Sequence, residues 1–131
     1  MNPEKGFKVE KLQPVNPADP RGATLQWQFP PGWEMAQITN YYRHAGQQFG
    51  QHVHHGTDPS KNPELLFLAK GRMAVTLVGL DGVTEEVTLE EHDTLTIWPG
   101  VKHSMKALTD VLIIEPRRTH FDPESPDTVP C

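Results

Sequence analysis

The chain has 131 residues, 36% of them hydrophobic, and a formal charge of −5, a size that fits one domain with a single, lean core. No Lys/Arg run offsets the negative balance, which argues against nucleic acid and against an anionic membrane surface as partners. No apolar run approaches the roughly 20 residues of a membrane span, and the start, MNPEKGFKVEKL, lacks the apolar stretch of a signal peptide, so a cytoplasmic location is expected.

In chain order, residues 1–23 contain four prolines and alternate weakly at Phe7, Val9, Leu12 and Val15. Proline is tolerated mainly on edge strands, so this segment reads as an N-terminal arm that adds an edge strand or lies across a neighbouring subunit. Asp19 to Gly22 reads as a turn. Ala23 to Phe29 and Glu34 to His44 read as strands separated by the turn signal Pro30-Pro31-Gly32. On the second of these, alternation puts Tyr41 and Arg43 on one face and Tyr42 and His44 on the other, and the sequence leaves open which pair looks inward. Arg72 to Val78 alternates and is rich in β-branched residues; Asp81-Gly82 marks a hairpin before Glu85 to Glu90. Thr94 to Trp98, His103 to Leu108 and Val111 to Glu115 complete a meander. No segment shows sustained helical periodicity. Short strands at regular spacing predict an all-β, single-domain jelly-roll barrel over residues 24–115. Residues 116–131 read as a C-terminal tail, wandering or clasping a neighbour, and Cys131 reads as an exposed end residue with no partner for an internal disulfide.

The chemistry concentrates between Gly46 and Gly71. His52 and His54 are separated by one residue, so on an extended strand they emerge on the same face and can share one metal ion. Glu64 opens the next β-rich run and can bring a carboxylate to that face, and His103 follows the turn at Pro99-Gly100. Three imidazoles and a carboxylate suit one divalent transition metal, Fe, Mn, Ni, Cu or Zn, with positions left open for water or substrate. His55 points to the opposite side of its strand and reads as a loop residue; His44, His92 and His120 lie outside the cluster and read as solvated. Trp27, Trp33, Phe49, Phe67 and Trp98 read as core or interface residues.

This spacing resembles the two motifs of the cupin superfamily. Gly46, His52, His54, Glu64 and Gly71 match every fixed position of the first motif, but the nine residues from His55 to Pro63 make its central gap longer than is usual in that family. In the second motif Gly100 and His103 match, while Asp93 stands for the first Gly, Trp98 for the Pro with Pro99 beside it, and Ala107 for the Asn. The long hairpin, rich in turn formers, is expected as an ordered lid at the pocket mouth.

The resemblance implies a metal-dependent small-molecule cupin enzyme, of dioxygenase, isomerase or lyase type, acting on a small polar metabolite. A second reading comes from Asp19-Pro20-Arg21-Gly22, which resembles a short segment of cupins that isomerise nucleotide-linked keto sugars, often with histidines and no metal. A third is a non-catalytic, metal-containing module that binds or senses a small molecule, since the fold hosts all of these. A homodimer is expected, because a jelly roll of this size has sheet edges to cover.

Overall fold

The alternation of apolar and polar side chains is realised as ten strands in the computed structural model, which describes residues 4–131. They are β1 (Phe7–Lys11), β2 (Gln37–Arg43), β3 (Gln48–Val53), β4 (Glu64–Lys70), β5 (Met73–Val78), β6 (Thr84–Leu89), β7 (Asp93–Ile97), β8 (Lys102–Ala107), β9 (Val111–Arg117) and β10 (Val129–Pro130). Two five-stranded antiparallel sheets result, in the orders β1-β7-β4-β9-β2 and β10-β3-β8-β5-β6. Their inner faces meet over a core in which Leu66, Leu68, Leu95, Ile97 and Ile113 of the first sheet face Met73, Val75, Leu77, Met105 and Ala107 of the second. The only helical element among the described residues is one 3-10 turn, Pro59–Lys61. The chain is therefore the all-β jelly roll that its strand pattern predicts.

Both ends of the chain join the sheets. Phe7 is buried and pairs with Ile97, so the described part of the expected arm adds an edge strand to its own sheet; Met1 to Pro3 lie outside the described residues. At the other end, β10 lies along β3, with Val129 opposite Val53 and Pro130 opposite His52.

Ala23 to Phe29 departs from expectation. It is no strand, and only isolated bridges, Pro14 to Leu25 and Asp19 to Gly22, tie this region together. Side-chain packing takes the place of a hydrogen-bonded ladder: Trp27 meets Phe29 edge-on at 5.0 Å and Phe67 of β4 at 5.7 Å, and Phe29 meets Trp33 at 4.9 Å. The segment covers the outside of the first sheet. The expected strand from Glu34 to His44 is shorter at both ends, as β2.

The second-motif reading also changes by one position. His92, not Asp93, stands where the motif has its first Gly: five residues separate it from Trp98, and it is the only non-glycine residue with positive φ among the described residues, at 74°. A left-handed backbone at that turn is what glycine supplies in the motif. Here the imidazole instead stacks on Phe67, 6.2 Å between ring centres.

The two first-motif glycines carry different loads. Both have positive φ, but a Cβ at Gly71 would lie 2.3 Å from the Asp110 carbonyl oxygen, whereas one at Gly46 would meet nothing within 4 Å. Gly46→Ala is expected to cost about 1–2 kcal/mol for its backbone alone, and Gly71→Ala clearly more. Urea unfolding of the two variants, compared side by side, checks the order; equal losses would contradict it.

Candidate metal centre and cavity

The four residues singled out by spacing converge. One ligand atom from each of His52, His54, Glu64 and His103 lies within 4.8 Å of the others. The second sheet supplies His52 and His103, the residue after the end of β3 supplies His54, and the first sheet supplies the carboxylate, so the centre stands between the sheets.

A bulge in β3 makes this possible. Phe49 pairs with Met105 and His52 with His103, so three steps along β3 match two along β8. The extra residue reverses the alternation. Phe49 and His52 therefore both face the interior, and Gly50, at φ 65°, supplies the left-handed step. His52 and His103 become directly opposed, with ring centres 4.6 Å apart.

Backbone carbonyls orient two of the imidazoles. His103 Nδ1–H donates to the Val101 carbonyl at 3.1 Å, and His54 Nδ1–H donates to the Asp127 carbonyl. A carbonyl only accepts, so each Nδ1 holds the proton and, in the neutral ring, each Nε2 lone pair is left pointing into the site. His54 Nε2, His103 Nε2 and Glu64 Oε2 are all buried without a hydrogen-bond partner. His54 Nε2 and Glu64 Oε2 approach to 2.6 Å outside hydrogen-bonding geometry, and His103 Nε2 lies 4.0 Å from the same oxygen. Orphaned buried polar atoms are rare because each forfeits its hydration. Three of them aimed at one point fit a divalent cation, and the N/O donor set suits a first-row transition metal.

Electrostatics keep two of the three imidazoles, His52 and His103, neutral and available as ligands, and pair the third with Glu64. Burial, reinforced by His103 and then His54, pushes His52 down to about 4, so it stays neutral near neutral pH. Burial likewise lowers His103. For His54 burial also acts downward, but the Glu64 carboxylate outweighs it and the net shift is upward. Burial opposes the Glu64 charge, yet Lys61, then His54 and His103, hold this carboxyl well below its usual range.

A cavity of about 410 Å³ opens from this centre, lined among others by Thr39, Tyr41, Arg43, Phe49, Lys61 and Arg117, a volume in the range of small-molecule sites. The inward pair on β2 is thus Tyr41 and Arg43, while Tyr42 is 71% exposed. Pairing of β2 with β9 fixes this choice: Gln37, Thr39, Tyr41 and Arg43 are half-buried and the residues between them exposed. His44, His55, His92 and His120 are all exposed and outside the four-residue cluster. Arg21 is exposed and pairs with Asp19 at 2.8 Å, away from the residues lining this cavity.

Beside the centre lies a charged chain invisible to spacing. Lys61 Nζ sits 2.7 Å from Glu115 and 3.6 Å from Glu64, and the Tyr41 hydroxyl donates to Glu115 at 2.6 Å. Burial first, then the Glu115 charge, pushes the Tyr41 phenol far up, so it keeps its proton. Arg117 binds Asp58 at 2.6 Å. The one available hint was on β9, whose inward positions run Val111, Ile113, Glu115, Arg117: a strand face that turns from apolar to charged where the core ends and the cavity begins.

The hairpin from His55 to Pro63 is pinned at its base. Asp58 accepts from Arg117, Thr119 and the Ser60 amide, Ser60 is fully buried, and Lys61 projects into the cavity wall. The tail completes the fastening. The Asp127 carboxylate accepts from the backbone N–H groups of His55, Gly56 and Asp58 at 2.9, 2.7 and 3.3 Å, while its carbonyl orients His54.

No protein-family model matches the chain, and no curated protein matches it in sequence. Solved structures do match in shape. QdtA, a sugar 3,4-ketoisomerase from Thermoanaerobacterium thermosaccharolyticum in complex with TDP, superposes with a TM-score of 0.72 at 15% identity, over 95% of this chain and 87% of that one. The dTDP-4-dehydrorhamnose 3,5-epimerase from Sulfolobus tokodaii gives 0.63 at 24%, over 91% and 74%. NovW, a 4-keto-6-deoxy sugar epimerase from Streptomyces spheroides, gives 0.70 at 16%, over 92% and 67%. The fold is the cupin jelly roll of these proteins.

Removing the Asp127 carboxylate tests the fastening. Asp127→Ala is expected to lower stability by about 1–3 kcal/mol, since three backbone donors lose their acceptor, and to weaken metal retention against a chelator by about tenfold or more. Asp127→Asn, which keeps one acceptor oxygen, should recover part of both. Unchanged unfolding and retention in Asp127→Ala would show that the tail merely rests on the barrel.

Proposed function

We propose that this chain is a metal-dependent cupin enzyme acting on a small, oxygen-rich metabolite, most simply as an isomerase. The observation that carries the reading is the convergence of three unpartnered buried atoms, His54 Nε2, His103 Nε2 and Glu64 Oε2, at the end of a polar-walled cavity. His52, His54, Glu64 and His103 would hold the ion. When bound, such an ion polarises a substrate oxygen and acidifies an adjacent C–H or a water.

The chain's own groups provide the rest. Tyr41 stays protonated and presents its hydroxyl group in the cavity wall, held by Glu115. Lys61, between Glu64 and Glu115, helps hold the Glu64 carboxyl below its usual range, while burial and the Glu64 charge push the Glu115 carboxyl up. Thr39, whose hydroxyl oxygen accepts from Gln37 Nε2 at 2.9 Å, has its hydroxyl proton left to donate to a substrate oxygen. Phe49, Leu66, Met105 and Ile113 keep the inner wall apolar and exclude water from the reacting end.

A nucleotide-linked keto-sugar isomerase or epimerase is the second reading, and the shapes of the ketoisomerase and epimerases favour it. Both readings describe proton movement beside a carbonyl and differ in whether the ion is required. We also propose a homodimer, formed through the open outer edge of β1 or β2; light scattering at micromolar concentration should give twice the chain mass, and a monomer removes this claim.

Elemental analysis of protein purified without added nickel or zinc should find about one transition-metal ion per chain. His103→Ala should lose it while keeping the β-rich circular dichroism of the parent, and the stripped protein should melt earlier because an ion bound only by the folded form stabilises it. Assay of thymidine-diphosphate-linked 4-keto-6-deoxyglucose by NMR separates the readings: turnover that survives stripping supports the second, and turnover of small hydroxy-carbonyl compounds that stops on stripping supports the first. Metal-free protein from every preparation would overturn the first.

A further inference from the structure

Three cations line the cavity, and two of them are already neutralised. Lys61 is held by Glu115 at 2.7 Å and Arg117 by Asp58 at 2.6 Å. Arg43 has no carboxylate partner among the described residues. Its guanidinium lies 5.3 Å from the ring centres of both Tyr41 and Phe49, and Nη1 donates to the Tyr42 carbonyl at 2.8 Å. Two aromatic faces and one carbonyl thus fix the group while using one of its five N–H donors. Lys70, Lys102, Lys106 and Arg118 also have no acidic partner among the described residues, but none of them lines this cavity, whereas Lys5, Lys11 and Arg72 pair with Glu85, Asp93 and Glu90 at the surface. An arginine that is half-buried, oriented by rings and left without a counter-charge in a cavity wall is arranged for an anion that arrives from outside.

Charge balance points the same way. Around the cavity Arg43, Lys61 and Arg117 face Glu64, Glu115 and Asp58, three charges against three. With a divalent ion held at the Glu64 end the site becomes net positive, in a chain whose overall formal charge is −5. The excess sits at two places, the metal centre and Arg43. Arg43, His52, His54 and Glu64 line the same cavity, so a small molecule with an oxyanion at one end and oxygen functions at the other can meet both places.

We propose that Arg43 is the anion-binding residue of the cavity, and that the substrate carries a carboxylate or phosphate group which this guanidinium grips through paired N–H donors. The position of the reacting end rests on the metal-centred reading above. The anion contact does not, and holds for stripped protein as well.

Isothermal titration calorimetry tests this with defined probes: malonate, its neutral analogue malonamide, inorganic phosphate and thymidine diphosphate, each titrated into metal-loaded and metal-stripped protein. At least one of the three anions is expected to bind, and malonamide is not. Arg43→Gln should weaken that anion about tenfold or more, with metal content and melting temperature unchanged. Arg43→Lys should restore only part of the affinity, since it keeps the charge and loses the planar fork. Malonate as the bound anion identifies a carboxylate substrate; phosphate or thymidine diphosphate identifies a phosphate-bearing one. Equal affinity of parent and Arg43→Gln for every anion, or no anion binding at all, overturns the proposal. So does a variant that loses stability with affinity intact, which would make Arg43 a strut for Tyr41. Elemental analysis of the same samples keeps failure of the metal reading separate.

Discussion

Three lone pairs that no protein donor satisfies, aimed at one point between two sheets, are the constraint on which the structure of this site depends. His54 Nε2, His103 Nε2 and Glu64 Oε2 are buried without hydrogen bonds. In a low-dielectric interior such atoms are costly unless a cation gathers them. The carbonyls of Val101 and Asp127 take the other ring nitrogens and fix which way each imidazole faces. The bulge at Gly50 turns His52 inward opposite His103. Even the tail serves this geometry, because Asp127 orients His54 with its carbonyl and holds the following loop with its carboxylate.

Around that centre the charges are arranged in pairs that need no water. Lys61 bridges Glu64 and Glu115, Tyr41 caps Glu115, and Arg117 holds Asp58. Pairing offsets part of the desolvation cost that burial imposes on these ions, and the hairpin from His55 to Pro63 becomes a fixed wall of the cavity. A lid that opens would have to break the Asp58–Arg117 pair and expose Ser60, which is wholly buried. On the proposed reading, selectivity is set by this preformed shape, with Arg43 as the charged group that meets a ligand.

The convergence of His52, His54, Glu64 and His103 was legible in the sequence because their spacing is chemical: two imidazoles two apart on a strand, a carboxylate opening the next and a histidine beyond a Pro-Gly turn come together whatever the loops do. The jelly roll was legible because strand alternation survives in β5, β6 and β9. What could not be read depends on pairing partners. Whether Tyr41 or Tyr42 faces inward follows from the register of β2 against β9, 70 residues or so away along the chain, and local alternation carries no phase. Ala23 to Phe29 has strand-like composition, yet its aromatics are spent on Phe67 and Trp33 instead of a ladder. Lys61 and Asp127 sit in turn-rich stretches whose composition signals only loop, so their burial comes from tertiary docking. Glu115 was the nearest to visible, as a charge ending an apolar strand.

The account stands or falls on the ion. Anomalous diffraction from crystals of protein purified without added nickel or zinc tests it most directly. The account predicts a single strong peak bonded by Nε2 of His54, Nε2 of His103, a ring nitrogen of His52 and the Glu64 carboxylate at about 2.0–2.3 Å, with open positions turned to the cavity. Well-ordered side chains at these four residues with no anomalous density between them, or a peak bound only at exposed histidines such as His44 or His120, would contradict it.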